Sequence, residues 1–201
     1  MIYPYRKVKV SCNDCPERFY RVFNVREDLN LQEVGALIIA YFQGVFEHMW
    51  VWRSKKYTYE DKTWLEDFPR KGNLDYALYQ LGNCELNAAS EITFEYDTGD
   101  GWEFTVKVDP EIEGHDFKTA YPRKSSVPWG ILLEGKGECI WEDNRSLFNI
   151  FLEKGKLSKT YGVPWIGNPK TFDDPLDIQA LDKSANAEAK AVMKKFKKAN
   201  V

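Results

Sequence analysis

Histidine is nearly missing from this chain: His48 and His115 are the only two. Neither stands beside a plausible nucleophile and no Gly-x-Ser-x-Gly phrase occurs, so nucleophilic hydrolysis has no footing in the residues. Cysteine is scarce as well. Cys12 and Cys15 form Cys-Asn-Asp-Cys, while Cys84 and Cys139 stand far apart. A structural zinc site needs four ligands, and no second Cys-x-x-Cys or His-x-x-x-His supplies the remaining two. The expectation is therefore two turn cysteines and two buried thiols, with no metal and no cofactor. Long apolar runs are lacking too. The longest, Val34 to Phe42, contains a glycine and falls far short of the roughly 20 residues of a membrane helix. Met1-Ile2-Tyr3-Pro4-Tyr5-Arg6 has no apolar signal-peptide core, so the chain is expected to be cytoplasmic and free of the membrane. Gly99-Asp100-Gly101 lacks the third glycine and the following helix of a dinucleotide motif.

Positive charge is thin except at one end. The net charge is −3, yet residues 183–201 carry six lysines against Glu188, so the body holds the acidic excess. An acidic body argues against a broad nucleic-acid footprint, which needs a contiguous Lys/Arg surface. The chain is read as a single domain over 1–182 followed by a basic helix or tail over 183–201.

What is abundant is apolar and aromatic: 43% hydrophobic and 15% aromatic residues in 201 can bury one sizeable core. The most structured phrase is Ile92 to Val108. Apolar and polar residues alternate on both sides of a glycine-rich turn, the pattern of a half-buried β-hairpin. A connection through Thr98, Gly99 and Asp100 places Ile92, Phe94 and Tyr96 against Val106, Phe104 and Trp102 on a core face. The same register opposes Thr93 to Thr105, Glu91 to Lys107, and Glu95 to Glu103. Like charges directly opposite destabilise a sheet, so a basic neighbour, a cation or a ligand offsets the two glutamates, or they splay into water.

Elsewhere the patterns predict strands over 5–12 and 19–25 around a Cys12–Pro16 turn. A helix follows, capped by Asn30 and Glu33, with Leu31, Val34, Leu37, Ile38, Tyr41 and Phe42 at helical spacing. Strands over 48–52 and 56–59 come next. A short helix is expected over 74–81, a long excursion over 110–138, and a helix from Asn144 to Gly155. Further helices are expected from Asp173 or Asp174 to Leu181 and from Ser184 to Lys198. The fold class expected is α+β: a mixed or antiparallel sheet with a strand-strand-helix-strand-strand opening, a central hairpin and C-terminal helices.

The phrase Glu95-Tyr96-Asp97-Thr98-Gly99-Asp100-Gly101-Trp102-Glu103 resembles the tyrosine-aspartate-phenylalanine-glycine-aspartate-x-tryptophan-glutamate-histidine signature of the Ri-plasmid Orf-three-like family, whose members are also described as insertion-element passenger proteins. His48-Met49-Trp50-Val51-Trp52, Tyr121-Pro122, Cys139 with Glu142-Asp143, and Phe172-Asp173 fall in the family's order. The resemblance covers about 5–182 and implies an α+β fold. Thr98 and Phe104 replace the family's phenylalanine and histidine. Cys139 is followed by Ile140-Trp141-Glu142-Asp143 in place of the family's cysteine-proline-proline-glutamate phrase, and Lys124 stands near where members carry a cysteine. Thiol or imidazole chemistry is therefore not carried over.

The residues that remain for recognition are Asp97, Asp100, Trp102, Glu103, Tyr121, Glu142 and Asp143. The function expected is a non-catalytic binding or accessory module, linked to plasmids or mobile elements through the resemblance, with a protein or peptide partner in a groove near Trp102 and residues 110–138. Two alternatives stand beside it. Asp97, Asp100, Glu142 and Asp143 could meet as hard oxygen ligands for a phosphoester hydrolase using Mg²⁺ or Mn²⁺, or the basic tail could make a nucleic-acid accessory protein.

Overall fold

The computed structural model describes residues 2–81, 92–116, 127–155 and 171–199. Strands β1 (Ile2–Cys12) and β2 (Tyr20–Arg26) form the opening hairpin. Helix α1 (Leu31–Tyr41) follows, with the expected capping box: the Asn30 side chain accepts from the Glu33 amide at 2.8 Å, and Glu33 reaches back to the Asn30 amide. Then come β3 (Trp50–Arg53), β4 (Thr58–Glu60), the short helix α2 (Lys62–Asp67) and β5 (Asn73–Asp75). The hairpin β6 (Ile92–Tyr96) and β7 (Trp102–Asp116), strand β8 (Gly130–Lys136) and helices α3 (Arg145–Lys154) and α4 (Ile178–Ala199) complete the chain. The sheet order is β5-β4-β3-β6-β7-β1-β2-β8. Its described pairs are antiparallel apart from parallel β4 and β5, so the fold is α+β with a mixed sheet.

The central hairpin has the register its alternation requires, with Tyr96 opposite Trp102, Phe94 opposite Phe104 and Ile92 opposite Val106. Glu91 lies outside the described residues. Glu95 does oppose Glu103, and a basic neighbour offsets it: Arg53 on β3 donates to Glu95 at 2.6 and 3.0 Å. Glu103 is exposed and accepts weakly from Asn13 at 3.4 Å.

Helix α1 lies across the inner face of the sheet and is buried nearly all round. It comes close to the sheet at Gly35, where a Cβ would stand 2.4 Å from the Trp50 indole nitrogen, so no larger residue fits without moving the helix or the Trp50 ring. Below its C-terminus, Phe19, Phe42, Trp102, Phe104, Phe148 and Phe172 form a chain of ring contacts with centroids 4.6–6.4 Å apart. Each such ring removed from water contributes about 1.5–3 kcal/mol, which makes this cluster the heart of the core.

Four expectations need correcting. Residues 74–81 are not a helix: Leu74 lies in β5, Tyr76–Leu78 make one 3-10 turn, and Gln80 bridges back to Asn30. The stretch 60–73, read as irregular, contains α2, capped by the Asp61 side chain on the Thr63 amide. The described part of the excursion over 110–138 is largely sheet, since β7 continues through Pro110 to Asp116 and β8 covers 130–136. Finally, no helix begins at Ser184, because α4 runs unbroken from Ile178. Among the described residues no helix is long and apolar enough to cross a membrane.

Candidate functional site

Three connections that are distant in sequence meet at one end of β3 and β6. The first is the α1–β3 loop, which carries His48. The second is the β6–β7 turn, which begins at Asp97. The third is the run from β8 to α3, which holds Glu142 and Asp143. Two backbone bonds draw them together: the Asp97 amide donates to the Met49 carbonyl at 2.9 Å, and the Ile140 amide donates to the Phe42 carbonyl at 3.0 Å. Their backbones are unusual. Gln43, Phe46, Asp97 and Asp143 all have positive φ between 53° and 63°, conformations that non-glycine residues hold only when their surroundings fix them.

His48 sits at the centre. Its Nδ1 is 3.5 Å from Asp97 Oδ1, and its Nε2 is 3.4 Å from Asp143 Oδ1 and 3.7 Å from Glu142 Oε2. His48, Asp97 and Asp143 each offer one ligand atom, all within 4.8 Å of one another. The three carboxylates are held differently. Asp97 is 4% exposed; its Oδ1 accepts from the Gly99 and Asp100 amides at 3.1 and 3.2 Å, while its Oδ2 is buried with no hydrogen-bond partner. His48 Nε2 is likewise buried without a hydrogen bond. Glu142 is buried and accepts from the Val45 amide at 2.9 Å and from the Tyr96 hydroxyl at 3.2 Å. Burial raises its pKa and the Asp97 charge adds to this, while Val45, Tyr96 and His48 pull it back. Asp143 is exposed. Gly44 is required beneath Glu142, because a Cβ there would meet Ile39 at 2.8 Å and the Glu142 carboxylate at 3.0 Å.

Asp97, Glu142 and Asp143 thus converge, as the acidic-cluster alternative supposes, but Asp100 does not join them. Its carboxylate accepts from the Arg145 amide at 3.1 Å and so caps α3, doing what the Asn144 side chain does not. Arg145 in turn donates to the carbonyls of Asp100 and Gly101 and forms a two-pronged pair with Asp14 at 2.9 Å. Trp102 is fully buried, its ring 5.0 Å from Phe148, so it presents no aromatic surface to a groove. Glu103 faces solvent on the opposite side of the sheet from Tyr96 and Trp102, away from this cluster. Tyr121 lies outside the described residues. His48 is the residue sequence reasoning passed over. The one available signal was its scarcity, coupled with its place at the head of the His48–Trp52 strand phrase.

Two ligand atoms about 2.1 Å from one small ion stand roughly 3–3.5 Å apart. An ion would take one ring nitrogen of His48, and since Asp97 stands 3.5 Å from Nδ1 and Asp143 3.4 Å from Nε2, the farther carboxylate would have to close in from a spread of up to 4.8 Å. One imidazole with two or three carboxylates suits Zn²⁺ or Mn²⁺ better than Ca²⁺ or Mg²⁺, which prefer oxygen ligands alone.

No curated protein matches the chain significantly. Among solved structures, the protein of unknown function MM3350 from Methanosarcina mazei Go1 has the same fold, with a TM-score of 0.57 at 15% identity over 86% of this chain and 99% of that one. The model of the plasmid pRiA4b ORF-3-like proteins matches residues 5–155. That match takes in β1 through α3, including all three connections that meet at His48, and the chain belongs to this family.

Proposed function

We propose that this protein is a divalent-cation-binding module, with His48, Asp97 and Asp143 as ligands and Glu142 beside them. The observation that carries the reading is the convergence of ligand atoms from His48, Asp97 and Asp143 within 4.8 Å of one another at a carboxylate whose Oδ1 stands 3.5 Å from the imidazole and whose Oδ2 is buried without a hydrogen bond. A buried acceptor left unpaired costs about 1–3 kcal/mol, more when it is charged. Three carboxylates around one imidazole also repel one another, and a dication offsets both costs.

Titration with Mn²⁺ followed by electron paramagnetic resonance, with Zn²⁺ as competitor, tests the site. One saturable site per chain is expected. Asp97→Asn and His48→Gln should each weaken it at least about tenfold, while Asp100→Asn, which alters only the α3 cap, should leave it unchanged. Asparagine tolerates the left-handed backbone at 97, so the first variant keeps its turn. Absence of saturable binding, or full affinity in Asp97→Asn, overturns the reading.

Phosphoester hydrolysis at the bound ion is a second reading, favoured by a cavity of about 190 Å³ whose lining includes Arg53, Trp64, Arg70, Met49 and Thr98. Met49 and Thr98 directly follow His48 and Asp97 in the chain, and Arg70 would suit a phosphate, Arg53 being held by Glu95. Manganese-dependent cleavage of bis(p-nitrophenyl) phosphate that is lost in Asp97→Asn supports it, and no turnover in the wild-type protein ends it.

A further inference from the structure

The Cys12–Cys15 turn lies outside the His48 cluster, yet it holds the hairpin tip and helix start that frame it. β1 ends at Cys12, whose carbonyl accepts from the Cys15 amide at 3.2 Å, and the Cys15 carbonyl accepts from the amides of Arg18 and Phe19 at 3.0 and 2.9 Å. This winding sets the two cysteines at the two ends of one turn. Neither is in a disulfide; Cys12 is fully buried and Cys15 is partly exposed. A turn closed from residue i to i+3 keeps its end Cα atoms within about 7 Å, and a disulfide spans about 4.4–6.8 Å. The pair therefore needs only a local contraction to bond.

Asp14 stands inside that turn. Its carboxylate grips the Arg145 guanidinium at 2.9 and 3.1 Å, and Arg145 grips the Asp100 and Gly101 carbonyls while its own amide is capped by Asp100. One ion pair thus joins the cysteine turn to the hairpin tip and the first residue of α3, two residues after Asp143.

We propose that Cys12 and Cys15 form a reversible dithiol–disulfide pair, and that the Asp14–Arg145 clamp couples its oxidation state to the hairpin tip and the start of α3. The oxidant is a small-molecule disulfide of the glutathione class. Cys15 carries the reachable sulfur, but its Cys12 neighbour and burial hold its proton on, so the step is slow at neutral pH. Once that proton is lost to solvent, the Cys15 thiolate attacks one sulfur of the disulfide, and the first thiol leaves as thiolate and takes up a proton. Cys12 then displaces the second thiol from Cys15 and closes the internal bond, and its proton leaves with that thiol. Two protein thiols are oxidised and one external disulfide is reduced to two thiols. Bonded sulfurs stand about 2.05 Å apart, closer than any non-bonded pair, so closure pulls on a turn that the clamp holds in its dithiol geometry.

The full chain, in buffer containing a metal chelator so that no cation contributes, is equilibrated with graded ratios of reduced to oxidised glutathione, then acid-trapped, alkylated and mapped by mass spectrometry. A Cys12–Cys15 disulfide is expected, absent in Cys15→Ser. Removing the clamp with Asp14→Asn should favour oxidation about tenfold, a midpoint ~30 mV more negative. Hydrogen exchange at the Arg145 amide should quicken when the wild-type chain is oxidised. The proposal fails if Cys12 and Cys15 remain thiols in fully oxidised glutathione or pair elsewhere. An unchanged midpoint in Asp14→Asn, or unchanged exchange on oxidation, overturns the coupling.

Discussion

Arg21 has no exposed surface, and its guanidinium donates to four backbone carbonyls: Tyr41 at 2.9 Å, Tyr20 at 2.9 Å, Lys136 at 2.5 Å and Glu138 at 2.9 Å. It also lies 4.8 Å over the Phe42 ring. Burial lowers its pKa to about 9, still above neutral pH, so the folded protein keeps the charge. One planar fork thereby ties the end of α1 to β2 and to the strand end of β8. Lysine carries the charge but not the fork, and Arg21→Lys should cost about 2–4 kcal/mol by urea denaturation because buried carbonyls lose their donors. Cys139, nearby, is governed by burial first and then by the Glu138 charge, which together push its pKa up to about 12. A raised thiol pKa keeps the unreactive protonated form, so at pH 8 iodoacetamide should label Cys139 at least about a hundredfold more slowly than an unstructured peptide cysteine. Its rate should climb about tenfold per pH unit up to pH 10, where the peptide has already levelled off; a rate equal to the peptide's would contradict the burial argument. The buried thiol is what the sequence leads one to expect of Cys139, but the guanidinium fork is not visible there, where Arg21 is one charge in an alternating strand. His48 escaped for the same reason: its partners Asp97, Glu142 and Asp143 stand at least 49 residues away.

Elements were legible where one local rule acts alone. The hairpin follows from alternation, and α1 follows from its spacing and capping box. Strand β8 did not declare itself because Ile131, Leu132 and Leu133 run together between glycines, and only pairing with β2 selects the strand. Nor did β7 beyond Val108, where Pro110 argues against a strand. The register with β1 shifts between Arg6 and Val8, opposite this point, and the irregularity accommodates a residue without an amide hydrogen. The α1–β3 loop shows how such an element serves the site. Gly44→Ala adds a methyl between Ile39 and Glu142, with contacts of 2.8 and 3.0 Å, and should cost about 1–3 kcal/mol. It should also weaken Mn²⁺ binding by displacing Glu142 against His48. Paired urea denaturation and Mn²⁺ titration check this, and unchanged values in both would show that the loop yields without strain.

At the scale of the whole molecule, the problem is the open edge of an eight-stranded sheet. β8 is the outermost strand on one side, and an edge strand leaves amides and carbonyls unpaired. α4 answers with side chains. Asn186 Oδ1 accepts from the Trp129 and Gly130 amides at 2.7 and 3.1 Å, and its Nδ2 donates to the Gly130 carbonyl at 3.0 Å. Asp182 accepts from the Leu132 amide at 2.8 Å and from the Tyr41 hydroxyl at 2.7 Å, which brings α1 into the same knot. Leu181, Ala185, Ala189 and Met193 lie buried on the same helix, and Lys197 pairs with Glu33 at the start of α1. A helix whose lysines read in sequence as a solvated basic end is thus joined to the sheet through its other face, a role that depends on a strand the sequence does not reveal. Asn186→Ala should cost about 2–4 kcal/mol, since it leaves two amides and a carbonyl at the edge without partners. Ending the chain after Asp177 removes the whole helix and bares the β8 edge together with the apolar face of α1. That truncated chain should self-associate, with a weight-average mass in sedimentation that rises with concentration while the full chain's does not. A truncated chain that stays monomeric and melts within a few degrees of the full one would show that α4 rests on the sheet without holding it closed.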